Sequence, residues 1–171
     1  MNKMKVEKTK LSKVLKITPP TIFNDFRGNY IETYNELIYN QNGIKTKFIQ
    51  DDISTSKQNV LRGIHGDNKT WKLVSCLYGN FYLVVVNWDK DSSEYQQWIS
   101  FEMDASDPFQ ILIPPNFGNG HLVTSKEAIF HYKQSTLYDR DSQFTIHWND
   151  PKLNIKWPIK SPILSKRDKN E

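Results

Sequence analysis

Cysteine is all but missing from this chain: Cys76 is the only one in 171 residues, so no internal disulfide framework is available. It sits in the apolar stretch LVSC, where a thiol packs as a small hydrophobe rather than acting as a nucleophile. Long hydrophobic runs are missing too. The longest, FYLVVV at 81–86, is far too short to cross a bilayer. The lysine-rich N-terminus is not followed by an apolar segment of the kind a secretory leader needs, so a soluble, cytoplasmic protein is expected. There is no internal repeat and no low-complexity linker. Nor is there a dense basic face. The net charge is only +4, and the basic residues gather at the two ends, with Lys3, Lys5, Lys8, Lys10, Lys13 and Lys16 at one and Lys160, Lys166, Arg167 and Lys169 at the other. That pattern carries no nucleic-acid footprint. A mild positive bias still suits a small anionic ligand.

What remains is a chain of one-domain size, 37% hydrophobic and 25% charged, long enough to bury a core. Strand-type patterns dominate it. VLKI (14–17), NYIETY (29–34), KFIQDDIS (47–54), NVLRGIH (59–65), WKLVSCLYG (71–79), FYLVVVNW (81–88), QWISFEM (97–103), PFQILIPP (108–115), HLVTS (121–125), AIFHYKQS (128–135) and FTIHW (144–148) are short and bounded by turn residues. Short strands at even spacing predict an all-β, antiparallel sandwich or barrel, best drawn as a jelly roll. One helix is expected, NELIYNQ at 35–41, ended by Asn42-Gly43. The domain spans 1–171, with 1–20 as an N-terminal arm and 150–171 as a C-terminal extension. Aromatic residues reach 13%, and most of them are expected to fill the core.

Four histidines narrow the chemistry: His65, His121, His131 and His147. A metal-holding jelly roll of the cupin type needs a His-x-His pair, a carboxylate and a later histidine. PPNFGNGH at 114–121 resembles the second half of that pattern, but His65 is followed by Gly66-Asp67 rather than a second histidine. No metal is expected. In FHYKQ, strand alternation puts His131 and Tyr132 on opposite faces, so if Tyr132 faces the lumen, His131 is structural. Each of these residues alone has an ordinary structural explanation. Together, His65, Tyr132, Arg62 and Lys72 make a base, a phenolic acid and two cations, a set suited to removing a proton next to a carbonyl. Such a site needs no cofactor. The glycines flanking His65 are expected to let a bulky ligand approach the backbone. Arg62, His65 and Lys72 are expected on one face of two neighbouring strands.

In order along the chain, DFRGNYIETY, FIQDDIS, NVLRGIHG, KLVSCLYGNFYLVVVNWDKDS, ILIPPNFGNGHLV, FHYK, WNDPKLNIKWP and PILSKRD resemble the dTDP-4-dehydrorhamnose 3,5-epimerase family of the cupin superfamily, from about residue 20 to 168. The resemblance implies a jelly-roll homodimer that works without metal on a nucleotide sugar. By position, His65 matches the general base, Asp168 the acid that orients it, Lys72 the cation that stabilises the enolate, and Tyr132 the acid that reprotonates the opposite ring face. Arg62, Arg27, Glu32, Gln50 and Tyr138 match binding positions. IHGD and PPNFGNGH further resemble a branch acting on GDP-4-keto-heptoses in capsule synthesis.

Three departures stand out. Gly66-Asp67 replaces an aromatic residue and glutamine, Asn119 replaces a pocket histidine, and Asp52 replaces asparagine. Asn119 is thereby a candidate substrate-binding residue. They argue for a larger sugar or another base, with GDP favoured over dTDP. The implied reaction is epimerisation of a nucleotide-linked 4-keto sugar at C3, C5 or both. A sugar-nucleotide 3,4-ketoisomerase and a non-catalytic cupin that binds sugar nucleotides are the alternatives.

Overall fold

A computed structural model describes residues 4–169. Two antiparallel sheets face each other. The larger has the order β1 (Lys5–Lys8), β2 (Leu15–Thr18), β10 (Gln110–Ile113), β7 (Lys72–Tyr78), β12 (Glu127–Gln134) and β5 (Gln50–Lys57). The smaller runs β13 (Phe144–Thr145), β6 (Leu61–Gly66), β11 (Phe117–Val123), β8 (Asn80–Asn87) and β9 (Trp98–Asp104). A separate hairpin, β3 (Thr21–Asp25) with β4 (Gly28–Glu32), pairs only with itself. The all-β jelly-roll expectation is met. Residues 4–20 do more than an arm would, because β1 and β2 extend the six-stranded sheet.

Three apolar layers hold the sandwich. Strand β8 shows why its sequence reads as an unbroken apolar run. Phe81, Leu83 and Val85 point into the layer between the sheets, with Val74, Ile111, Phe117 and Phe130. Val84 and Val86 point outward, under Leu153, Ile155 and Trp157 of the C-terminal segment. Residues 83–86 are all 0% exposed, and each such side chain is worth about 1.5–3 kcal/mol of burial. The third layer lies outside the six-stranded sheet, where Tyr39 of α1 (Glu36–Gln41) packs with Ile17, Leu73 and Leu112. Asn35 caps that helix, its Oδ1 accepting from the Ile38 N–H at 3.2 Å. Gly43 follows the helix at φ +88°, a conformation that favours glycine.

The C-terminal segment is tied down before it reaches the site. Ile163 N donates to Asn59 O at 2.8 Å and Leu61 N to Ile163 O at 3.0 Å. The tail therefore runs beside the start of β6, and the short 3-10 turn Arg167–Lys169 lands next to that strand.

Candidate active site

On a regular strand Arg62 and His65, three apart, would face opposite sides of the sheet. A bulge in β6 prevents this. His65 pairs with Asn119 and Arg62 with His121 on β11, so Gly63 and Ile64 together stand opposite the single residue Gly120. The extra residue reverses the alternation beyond it. Arg62 and His65 both face the space between the sheets, while Ile64 turns outward to pack with Val84 and Val86. Gly63 has φ +120°, and a Cβ there would lie 2.5 Å from Gly120 Cα. At Gly66 a Cβ would run into the carbonyl oxygen of Phe117 and the Phe144 ring. The glycines around His65 thus serve close strand packing, which corrects the expectation that they make room for a ligand.

The opposite wall is the six-stranded sheet. Tyr132 follows Ala128 and Phe130 on the inward face of β12, and Lys72 shares the inward face of β7 with Val74 and Cys76. Arg62 and His65 therefore confront Lys72 across the lumen; they do not share neighbouring strands, because β6 and β7 belong to different sheets. Between the walls opens a cleft of about 430 Å³. Lys72 Nζ bridges it to Asn119 Oδ1 at 3.4 Å, and Arg62 Nε donates to Ser56 Oγ at 2.9 Å. His131, on the outer face, lies 2.9 Å from Asp51, as alternation requires.

His65 Nε2 lies 2.7 Å from Oδ1 of Asp168. Neither atom meets hydrogen-bond geometry there, so the contact is a close approach rather than a straight hydrogen bond. The other carboxylate oxygen of Asp168 accepts from Ser165 Oγ at 2.8 Å. Burial pushes the Asp168 carboxyl up, but His65, Ser165 and the Gly63 N–H outweigh it and hold the group below the usual carboxylate range. Lys72 is moved down, by burial first and by the Arg167 charge, with Asp67 opposing. Tyr132 is pushed up to about 12, chiefly by burial and then by the Asp52 charge, so it is a phenol at neutral pH. Burial likewise pushes the Cys76 thiol up to about 12, leaving it inert. Among the described residues no three His, Cys, Asp or Glu side chains gather as metal ligands.

Eight of the sequence-nominated residues line this cleft: Gln50, Arg62, His65, Lys72, Asn119, Tyr132, Tyr138 and Asp168. Arg27 and Glu32 do not. They sit on the separate hairpin, where Arg27 Nη2 pairs with Asp25 at 2.6 Å and Glu32 accepts from Thr21 Oγ1 and Asn35 Nδ2. Within one chain the hairpin does not line the cleft, so a binding role for either residue rests on a second copy. Asp67, expected to alter the space beside His65, instead accepts from the backbone N–H groups of Lys69 and Thr70 at 2.9 and 2.7 Å. It is a turn residue. His121, Phe130, Gln143, Ser165 and Arg167 also line the cleft but were not nominated from the sequence. For Arg167 and Ser165 the adjacent Asp168 in SKRD was the available signal; the inward parity of Phe130 and His121 was legible only with the sheet register known.

A buried cation, a carboxylate-backed imidazole and a phenol, drawn from two facing sheets of a jelly roll, define a proton-transfer enzyme of the cupin type. Comparison with known proteins supplies the family. The sequence profile described as dTDP-4-dehydrorhamnose 3,5-epimerase matches residues 8–171, and the chain belongs to that family of isomerases. It is 39% identical over 170 residues to the dTDP-4-dehydrorhamnose 3,5-epimerase of Salmonella typhimurium strain LT2, covering 96% of this chain and 92% of that one. It is 36% identical to the Shigella flexneri enzyme of the same name, covering 98% and 94%. Its fold is similar to the crystal structure of dTDP-6-deoxy-D-glucose-3,5-epimerase from Legionella pneumophila Philadelphia 1 in complex with dTDP-4-keto-L-rhamnose, at TM-score 0.92 and 34% identity over 98% of this chain and 90% of that one. These relatives are named for dTDP-linked sugars, so the expected GDP-4-keto-heptose branch and capsule role find no support among them.

Proposed function

We propose that this chain epimerises a dTDP-linked 4-keto sugar at C3, at C5 or at both, through an enolate. The observation that carries the reading is the opposition of His65, backed at 2.7 Å by Asp168, to Tyr132 on the facing sheet, with buried Lys72 between the walls. His65 takes the proton from the carbon next to the ketone. The electron pair of that C–H bond moves to the C4 oxygen, where the Lys72 ammonium compensates the developing charge. The Tyr132 hydroxyl, or water, then gives a proton to the opposite ring face. Arg62 and Arg167 supply further positive charge for a diphosphate.

A homodimer is part of the proposal. Hairpin β3–β4 exposes Phe23, Phe26 (98% exposed) and Tyr30, and strand β5 ends its sheet with an unpaired edge beside exposed Ile49 and Ile53. A second copy laid with its hairpin along β5 would cover both. It would also bring Arg27 and Glu32 to the cleft mouth, which Gln50 and Asp52 of β5 line.

The test is a proton NMR time course in D2O with dTDP-4-keto-6-deoxy-glucose. Loss of the C3 or C5 signal, with a new epimer appearing, is expected for the wild type, and no exchange for His65→Ala. Wild-type exchange in that variant removes His65 as the base. Exchange with a moved carbonyl and no epimer makes the chain a ketoisomerase instead.

A further inference from the structure

His121 stands on β11 one inward step deeper than Asn119, and the reasoning here rests on the nucleotide-sugar reading above. It is 4% exposed. Its ring lies flat on Phe130, centroids 4.1 Å apart at 6°, with Phe81 at 5.3 Å. The same ring forms part of the cleft wall. Its Nε2 is enclosed and has no hydrogen-bond partner among the described residues. Leaving a buried polar atom unpaired costs stability, and for packing against two phenylalanines a third would serve at least as well. Nδ1 is not among the enclosed, unpartnered atoms, and it is the ring atom left to meet whatever enters the cleft.

The chemistry of that something is restricted. Burial, and then the Arg62 charge, holds the imidazole far down, at about 3, against the opposing pull of Asp168. At neutral pH the ring is uncharged, so it neither anchors an anion nor cycles a proton. A neutral imidazole offers one donor and one acceptor, and a hydroxyl, itself donor and acceptor, is its natural match. The diphosphate has Arg62 and Arg167 to meet it, while a sugar carries the hydroxyls. We propose that His121 is a specificity-determining residue that hydrogen-bonds one hydroxyl of the substrate's sugar at the floor of the cleft.

The test couples the residue to the hydroxyl. Isothermal titration calorimetry is run on the wild type and His121→Phe with dTDP-glucose and its 2-deoxy, 3-deoxy and 6-deoxy derivatives, none of which carries the 4-ketone. The wild type is expected to lose affinity about tenfold or more when one of these hydroxyls is removed. His121→Phe should bind that deoxy compound and the parent alike. His121→Gln, which keeps a donor and an acceptor, should recover part of the preference. If the lost preference is the one at C6, the natural sugar carries a hydroxyl that 6-deoxy sugars lack. Deoxy penalties equal in wild type and His121→Phe overturn the proposal. Coupling without exchange in D2O would remove the epimerase reading and leave His121 its role; exchange without coupling does the reverse. If none of the four sugars binds, the His121 proposal falls, and exchange in D2O alone decides the epimerase reading.

Discussion

In the proposed mechanism the base depends on Asp168, which lies 103 positions from His65 in sequence yet 2.7 Å away in space. Its folded carboxyl titrates below the ordinary value of 3.8. Its contribution to stability is therefore present above the unfolded value and is lost as pH falls through the folded one. Asp168→Asn should flatten the acid side of a melting-temperature profile between about pH 5 and pH 2, and C–H exchange in D2O should drop by about 10²-fold or more. An unchanged acid slope would mean that Asp168 is not held charged by its neighbours. Lys72 makes the converse case. Burial lowers its titration below 10.5, so the charged form is lost earlier on the alkaline side than for a surface lysine. The kcat/KM profile should fall on that side below 10.5, and Lys72→Met should lower kcat by about 10²–10³-fold and abolish that limb. A limb that persists in the variant belongs to another group. His65, Lys72 and Tyr132 were legible as a base, a cation and a phenolic acid, and Asp168 only through the family resemblance of PILSKRD. His121 was not, since a lone histidine in a glycine-rich stretch says nothing of its neighbours until β11 is paired with β6 and Phe130 is seen beneath the ring.

Elements were easier to read than their register. Eleven strand segments were anticipated, and the two missed, β1 and β3, belong to stretches rich in lysine or flanked by Pro19-Pro20, where apolar alternation is weak. The strand expected at 121–125 begins earlier, at Phe117, so that Gly118 and Gly120 lie inside β11. They are small because Ile64 packs over them, a Cβ at either falling 2.8–3.0 Å from its side chain. The bulge that creates this crowding is what puts Arg62 and His65 on one face. No periodicity announces it, as the pattern breaks for a single residue. Gly63→Ala tests the bulge. At φ +120° and 2.5 Å from Gly120 Cα, the added methyl has no place unless β6 shifts from β11. The expected loss is about 2 kcal/mol or more in chemical denaturation, with exchange activity reduced beyond what the unfolded fraction explains. Wild-type activity in a destabilised Gly63→Ala would show that the bulge holds the sheet together without aiming His65.

At the scale of the whole molecule, a sandwich with an apolar layer on each outer face still leaves two features of the kind another chain covers. The hairpin β3–β4 stands apart from both sheets with Phe26 98% exposed, and among the described residues β5 is the last strand of its sheet. Exposed aromatic residues on a strand pair and an open sheet edge each favour association with another chain. The hairpin also holds Arg27 and Glu32, the two nominated residues that one chain does not bring to its own cleft. Sequence position alone could not say which cleft they serve, since that depends on geometry between copies rather than along a chain. If a second copy supplies them, light scattering of the wild type should give a dimer, and Phe26→Asp or Ile53→Lys should shift it toward monomer. Mixing resolves the rest. Arg27→Ala and His65→Ala are each expected to be poorly active alone, yet a mixed dimer contains one cleft with His65 from one chain and Arg27 from the other. Unfolding and refolding the two together should then restore part of the exchange rate. No restoration, despite mixed dimers forming, would assign Arg27 to its own chain or to the surface, and the hairpin would keep only its part in association.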